Sequence, residues 1–197
     1  GELYARLGQR MSTWMSTQTP AGMLFEVDLR LRPNGESGML VCPVAAFRDY
    51  QLNRAWVWEH QALTRARFCA GDAAVGEQFE TIRAEILRQS RDLATLRDEV
   101  LSMRQRMLEQ HASRSEEFFD IKHDRGGLID VEFIVQYLVL GHAHRHAELC
   151  GNLGNIALLA IAADLGLIDG ELATPVRDAY RHFRHQQHVL RLNAGRR

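Results

Sequence analysis

Residues 25–32 alternate so that an extended chain would carry four charges on one side. Glu26, Asp28, Arg30 and Arg32 fall between Phe25, Val27, Leu29 and Leu31, and side chains of a strand point to opposite faces with period two. An acid with arginines two and four residues on has the makings of a metal–phosphate site. The carboxylate of Asp28 would hold Mg²⁺, and the planar guanidinium forks would meet phosphate oxygens. A Gly/Ser turn follows at once (Asn34-Gly35, Ser37-Gly38), and small residues let backbone N–H groups approach a ligand. An ordinary solvated strand face has the same alternation.

A second chemical segment is DIKHDRGGLIDVEF, residues 120–133. Paired glycines before a helix permit close backbone approach and leave N–H groups free at its start, which is an anion site. Lys122 and Arg125 precede the glycines, and Asp130 and Glu132 occupy the first turn, where acids also complement the helix dipole. A loop followed by a well-capped helix would read the same way. No GxxxxGK[ST] motif occurs.

Other candidates are weaker. His142, His144 and His146 stand near a helix end, and His182, His185 and His188 follow at i, i+3, i+6. No HExxH motif occurs, and both sets read as solvated or helix-end histidines. Trp56, Trp58 and Tyr50 read as core rather than as a base-stacking platform. Arg177, Arg181, Arg184, Arg191, Arg196 and Arg197 outnumber Glu171 and Asp178 near the end of the chain. Such a run reads as a solvated helix face before it reads as a contact to an acidic partner.

These segments must be positioned by a mostly helical chain. Leu3, Leu7, Met11, Trp14 and Met15 have helical spacing. Residues 24–41 read as a β-hairpin around Asn34-Gly35, with 37–41 returning. Pro43 starts a helix, 55–68 forms another, and 73–111 is helical and charge-laced. Residues 128–144 and 155–166 are apolar helices, the second closed by Gly166. The last helix opens at Asp169 or at Thr174-Pro175. The expected architecture is mainly α (α+β): a small α/β piece over 1–70 and a helical bundle over 73–197.

Composition narrows the function classes. The 197 residues carry 24 Lys+Arg against 25 Asp+Glu, a net charge of −1, so no global field argues for a nucleic-acid or anionic-membrane partner. Three scattered cysteines, Cys42, Cys69 and Cys150, make neither a disulfide framework nor a zinc knuckle, and a reducing cytoplasm is expected. No apolar run approaches the ~20 residues of a membrane span. The opening GELYARLGQRM is polar and lacks an initiator Met, and the closing RLNAGRR stops in helical sequence. The expectation is a piece of a longer protein.

Three stretches together resemble one family. FEVDLRLRPNGESGMLV, DYQLNRAWVWEHQALTRARFCAGD and FFDIKHDRGGLIDVEFIVQYLVLGHAH resemble the bacterial glutamine synthetase adenylyltransferase/deadenylylating enzymes, from about residue 24 to 190. Those are large proteins with two nucleotidyltransferase halves. AWVWEHQALTRAR is more similar to the C-terminal, adenylyl-transferring half.

The resemblance implies a partial polymerase-β-type nucleotidyltransferase piece, ending near residue 70, followed by a helical bundle domain truncated at its C-terminus. Asp28 matches the third metal carboxylate of that superfamily, while the Gly-Ser-x-Asp-x-Asp segment that carries the first two is absent upstream of residue 24. The fragment is therefore expected to be inactive alone. In the longer enzyme the resemblance implies AMP transfer from ATP to a tyrosine of glutamine synthetase, with Mg²⁺. Asp28 would bind metal, Arg30 or Arg32 would neutralise phosphate charge, and Gly35, Ser37 and Gly38 would shape the phosphate loop. Lys122, Gly126, Gly127, Asp130 and Glu132 would face the nucleotide. Two alternatives stay open: the deadenylylating, phosphorolytic half, and a non-catalytic helical module docking glutamine synthetase or the PII signalling protein.

Overall fold

The computed structural model of the chain describes residues 1–29, 32–35, 38–111 and 117–194. Arg30 and Ser37 lie outside them. The protein is 65% helical, which places it in the mainly α class. In chain order the elements are α1 (Glu2–Ser16), β1 (Gln18–Thr19), β2 (Gly22–Met23), α2 (Val44–Asn53), α3 (Val57–Leu63), α4 (Ala73–Leu87), α5 (Leu93–His111), α6 (Leu128–His142), α7 (Asn155–Asp164) and α8 (Gly170–Ala194), with a 3₁₀ turn at Ala147–Cys150 before α7.

Helix ends follow local chemistry. Asp72 caps α4 by accepting from the N–H groups of Ala74 and Val75. Asp92 restarts the helix as α5, accepting from the Thr95 N–H and hydroxyl, so the predicted 73–111 helix is two helices. Gly166 closes α7 at φ +68°, and Asp169 opens α8 by accepting from the Glu171 N–H. Pro175 sits inside α8 rather than in its first turn.

The hairpin lies elsewhere than expected. The antiparallel pair is β1–β2, with Gln18 opposite Met23 and Thr19 opposite Gly22. Residues 24–29 form no strand, and Phe25 is 60% exposed. Period-two alternation states only which face would be buried. A strand also needs a neighbouring strand to satisfy its backbone groups; among the described residues, segment 24–29 pairs with none, and its Phe25 N–H donates instead to the Met15 carbonyl of α1 at 2.9 Å. The tight turn is present, with Asn34 at φ 62° and Gly35 at φ 54°.

The core is built around α6, which packs against α3, α5, α7 and α8. Leu128, Val131, Val135, Val139 and Leu140 of α6 meet Leu96 and Val100 of α5, Ile86 and Leu87 of α4, and Leu158 and Leu159 of α7. Leu63 of α3 belongs to the same core, and Val44, Phe47 and Leu52 of α2 pack on it. The hydrophobic core thus crosses residues 70–73 without a break. Leu140 is fully buried, so Leu140→Ala removes transfer energy and leaves a cavity. The expected loss is about 3 kcal/mol, read as a lower urea midpoint with an unchanged m-value.

Helix α3 inverts the expected pattern. Trp56 is 70% exposed and Trp58 36% exposed, so the tryptophans are not core. Glu59, His60 and Gln61 are buried instead. Each has a partner: Glu59 Oε1 accepts from the Tyr50 hydroxyl at 3.0 Å and the Trp56 N–H at 3.1 Å, His60 Nε2 pairs with the Gln51 carbonyl at 2.9 Å, and Gln61 Nε2 donates to Gln136 at 2.8 Å. Burial pushes the His60 imidazole down, and the neighbouring Arg91 charge adds to the effect. Among the described residues, no helix is long and apolar enough to cross a membrane.

Candidate functional site

The first segment is a closed loop rather than a strand. Asp28 is exposed. Arg32 is half-buried and turns back on its own chain: Nε donates to the Gly38 carbonyl at 3.1 Å and Nη1 to the Leu29 carbonyl at 2.7 Å. The guanidinium therefore ties together the two limbs that flank Asn34-Gly35. Gly38 is required by contact, since a Cβ there would lie 1.8 Å from the Pro33 carbonyl oxygen. The loop is anchored to the helices at Tyr50, whose phenol is hydrogen-bonded by the Asn34 backbone; burial, then Glu59, holds that phenol above its ordinary range.

The second segment is a loop that satisfies itself. Asp120 accepts from the Lys122 and His123 N–H groups at 2.8 and 3.2 Å and from His123 Nδ1 at 2.7 Å. Burial pushes the Asp120 carboxyl up, but these hydrogen bonds outweigh it and hold it below the usual carboxylate range. Asp124 Oδ2 accepts from the Asp120 N–H at 2.7 Å. The N–H of Gly127 reaches the Asp124 carbonyl at 3.0 Å, that of Leu128 the Ile121 carbonyl at 2.8 Å, and that of Ile129 the Lys122 carbonyl at 3.2 Å. The Gly126 N–H donates to Asp130 Oδ2.

The N–H groups that sequence reading left free at the start of α6 are therefore engaged. What the loop presents outward is side chains. Lys122 and Arg125 are both exposed, and Arg125 Nη2 donates to Gln105 at 3.1 Å. The glycines serve the loop's own geometry: Gly126 is at φ +85°, and a Cβ on Gly127 would sit 2.8 Å from the Ile121 carbonyl oxygen.

The two acids on α6 face different partners. Asp130 pairs with Arg104, whose Nε donates to Oδ1. Glu132 Oε1 accepts from the Tyr180 hydroxyl at 3.1 Å and pairs with Arg65 at 3.0 Å. The Tyr180 oxygen accepts in turn from Asn155 at 2.8 Å. Burial, reinforced by the Glu132 charge, holds the Tyr180 phenol above its ordinary range. Glu132 of α6 thereby ties the segment just after α3 to α8, and Tyr180 extends the link to Asn155 of α7.

Arg104 was missed by sequence reading, though a signal was present. It follows Leu96 and Val100 at helical spacing, and those two are buried. A charged residue continuing a buried stripe must find partners inside. A cleft of about 620 Å³ opens beside it, lined among others by Ser102, Gln105, Arg125 and Asp130.

The residues fit a metal only in part. Among the described residues, no group of three His, Cys, Asp or Glu side chains gathers to hold a metal ion. A complete donor set for Mg²⁺ is therefore not formed by the described residues.

Comparison with known proteins supplies the family. The chain is 66% identical over 192 residues to the bifunctional glutamine synthetase adenylyltransferase/adenylyl-removing enzyme of Aromatoleum aromaticum, covering 98% of this chain and 20% of that protein. The chain belongs to the glutamine synthetase adenylyltransferase/adenylyl-removing enzyme family. The protein of the same name from Chromobacterium violaceum is 59% identical, over 98% of this chain and 21% of its own length. That from Nitrosomonas europaea is 57% identical, over 97% and 20%. The chain spans about a fifth of the length of the curated relatives it matches. Two family models divide it: glutamate-ammonia ligase adenylyltransferase matches residues 1–82, and GlnD PII-uridylyltransferase matches residues 94–197. The family resemblance read from the motifs is therefore correct.

Proposed function

We propose that this chain is part of an enzyme that transfers AMP from ATP to a tyrosine hydroxyl of glutamine synthetase, and that it contributes one edge of the nucleotide site. The observation that carries the reading is the similarity, over 98% of the chain, to a protein named for adenylyl transfer to glutamine synthetase. In the reaction the phenolic oxygen attacks the α-phosphorus in line, the bond to the β-phosphate oxygen breaks, and pyrophosphate leaves. The phenol proton passes to a base or to water. Residues 1–70 would form the end of the nucleotidyltransferase domain and 73–197 the helical domain.

Each residue has a defined part in this reading. Asp28 contributes a carboxylate to Mg²⁺, and bound Mg²⁺ supplies electrostatic stabilisation of the phosphates. Arg30 neutralises phosphate charge. Arg32, engaged with Leu29 and Gly38, shapes the loop that carries Asp28, together with Gly35, Ser37 and Gly38. Lys122 meets the nucleotide with its exposed ammonium, while Gly126, Gly127, Asp130 and Glu132 hold the loop and the first turn of α6 beneath it. The bifunctional names of the relatives favour the adenylyl-removing reaction as the second reading. The match of residues 94–197 to a PII-uridylyltransferase model favours PII as a protein partner of the helical part. A cytoplasmic location accompanies the proposal.

The test compares this chain with the full-length enzyme. Calorimetric titration with Mg·ATP is expected to show weak binding to the chain and tight binding to the full-length protein. Radiolabel transfer from α-labelled ATP to glutamine synthetase is expected only with the latter. Transfer by the 197-residue chain at full-length rates would refute the argument from incomplete metal ligands. Failure of the full-length protein to label glutamine synthetase at all would refute the activity.

A further inference from the structure

Arg104 lies on α5, away from both chemical segments in sequence, yet it reaches the loop that presents Lys122. It is 9% exposed. Its Nε donates to Asp130 Oδ1, and its Nη2 donates to the carbonyls of His123 at 2.8 Å and Asp124 at 3.2 Å. The other oxygen of Asp130 accepts from Gly126. One guanidinium therefore holds the first turn of α6 and the two carbonyls just before Arg125, and the carboxylate it pairs with holds the next N–H. One residue further along α5, Gln105 accepts from Arg125. The segment from Lys122 to Gly127 is fastened from below, with its cationic side chains left outward.

A buried guanidinium is costly unless its donors are satisfied; here Nε and Nη2 are engaged, while Nη1 is buried with no partner among the described residues. What Arg104 adds is direction, since its planar fork aims several donors at fixed angles. We propose that Arg104 is a positioning residue for nucleotide binding: it sets where Lys122 and Arg125 stand and does not itself touch phosphate. The proposal rests on the reading that this loop faces the nucleotide. A lysine at 104 would keep the buried charge, but a single ammonium cannot reproduce the fork that spans the carboxylate and both carbonyls.

The test is steady-state kinetics of the full-length enzyme with Arg104→Gln, Arg104→Lys, Lys122→Ala and the double variant Arg104→Gln/Lys122→Ala. Lys122→Ala and Arg104→Gln are each expected to raise KM for ATP by about tenfold, the scale of one lost charge-assisted hydrogen bond, with KM for glutamine synthetase unchanged. Arg104→Lys is expected to recover part of the melting temperature lost in Arg104→Gln, because it keeps the charge beside Asp130, without restoring KM for ATP. A residue that acts through Lys122 adds little once Lys122 is gone, so the double variant should fall within about twofold of the worse single variant. Multiplicative effects in the double variant, or a normal KM for ATP in Arg104→Gln while Lys122→Ala raises it, would overturn the proposal alone. A normal KM for ATP in Lys122→Ala would overturn the nucleotide-facing reading and the proposal with it. If Arg104→Gln does not fold, Arg104→Lys decides: KM for ATP raised supports the proposal, and KM unchanged overturns it.

Discussion

Asp28→Asn in the full-length enzyme is expected to abolish most adenylyl transfer while leaving the protein folded. Asp28 is exposed, in a loop whose shape is set by Arg32, Gly38 and the Asn34 contact to Tyr50. Asparagine nearly preserves volume, so packing changes little, and stability should shift by less than about 1 kcal/mol. What changes is charge: an amide oxygen is a far poorer Mg²⁺ ligand than a carboxylate. If catalysis depends on that carboxylate, turnover should fall on the order of 10²-fold or more, several kcal/mol in the barrier. Radiolabel transfer measures the rate, and circular dichroism with a thermal melt checks the fold. Arg6→Ala is the control, because Arg6 is exposed on α1 and pairs with Glu2 one turn away. Near-normal turnover in Asp28→Asn would return Asp28 to the status of an ordinary surface acid and favour a docking module over a catalytic one.

The largest stability effect is expected at Arg83. This side chain is 3% exposed on α4. Its Nε donates to the Leu63 carbonyl at 2.8 Å, its Nη2 to the Thr64 carbonyl at 2.9 Å and its Nη1 to the Cys150 carbonyl at 2.9 Å. It thus closes the end of α3 and the 3₁₀ turn before α7 against α4. Arg83→Met keeps an unbranched stem in the core but strands three carbonyls. Each unsatisfied buried group costs about 1–3 kcal/mol, so a total near 4 kcal/mol is expected. For a chain of this size that corresponds to roughly 10 °C in Tm. Arg83→Lys should recover only part of it, because one ammonium cannot reach three carbonyls spread around a planar fork. A loss below about 1 kcal/mol in urea titration would mean that water replaces the guanidinium and that the interior here is wetter than the packing indicates.

Several features were legible in the sequence because their causes are local. Helices α1, α6 and α7 follow from apolar spacing over consecutive turns. The closing glycine of α7 follows from its positive φ, and the tight turn at Asn34-Gly35 from the same backbone preference. The motifs around Asp28 and Gly126-Gly127 carried enough specificity to point to the family.

The placement of polar groups was not local, and there the reading diverged. Period-two alternation at 25–31 implies a strand, but pairing is a property of two segments, and among the described residues no strand pairs with this one. Hydrophobicity alone places Trp56 and Trp58 in the core. The structure instead buries Glu59, His60 and Gln61, because Tyr50, the Gln51 carbonyl and Gln136 converge on them from other elements. The Gly126-Gly127 segment looked like an open anion cradle, and its N–H groups are consumed by the carbonyls of Ile121, Lys122 and Asp124 and by Asp130.

What the sequence by itself determined is therefore the helical class, the order of most elements and the family, each encoded in near-neighbour spacing or in contiguous motifs. What only the tertiary structure decided is which charges are buried and what they hold. Arg83, Arg91 and Arg104 all occur in charge-laced helical sequence, indistinguishable by type from the exposed Arg97 and Arg106. They separate only when distant carbonyls and carboxylates are brought within hydrogen-bond reach: Cys150 for Arg83, Leu140 for Arg91 and Asp130 for Arg104. The physical reason is that burying a guanidinium is unfavourable on its own and becomes tolerable only through partners supplied by another part of the chain.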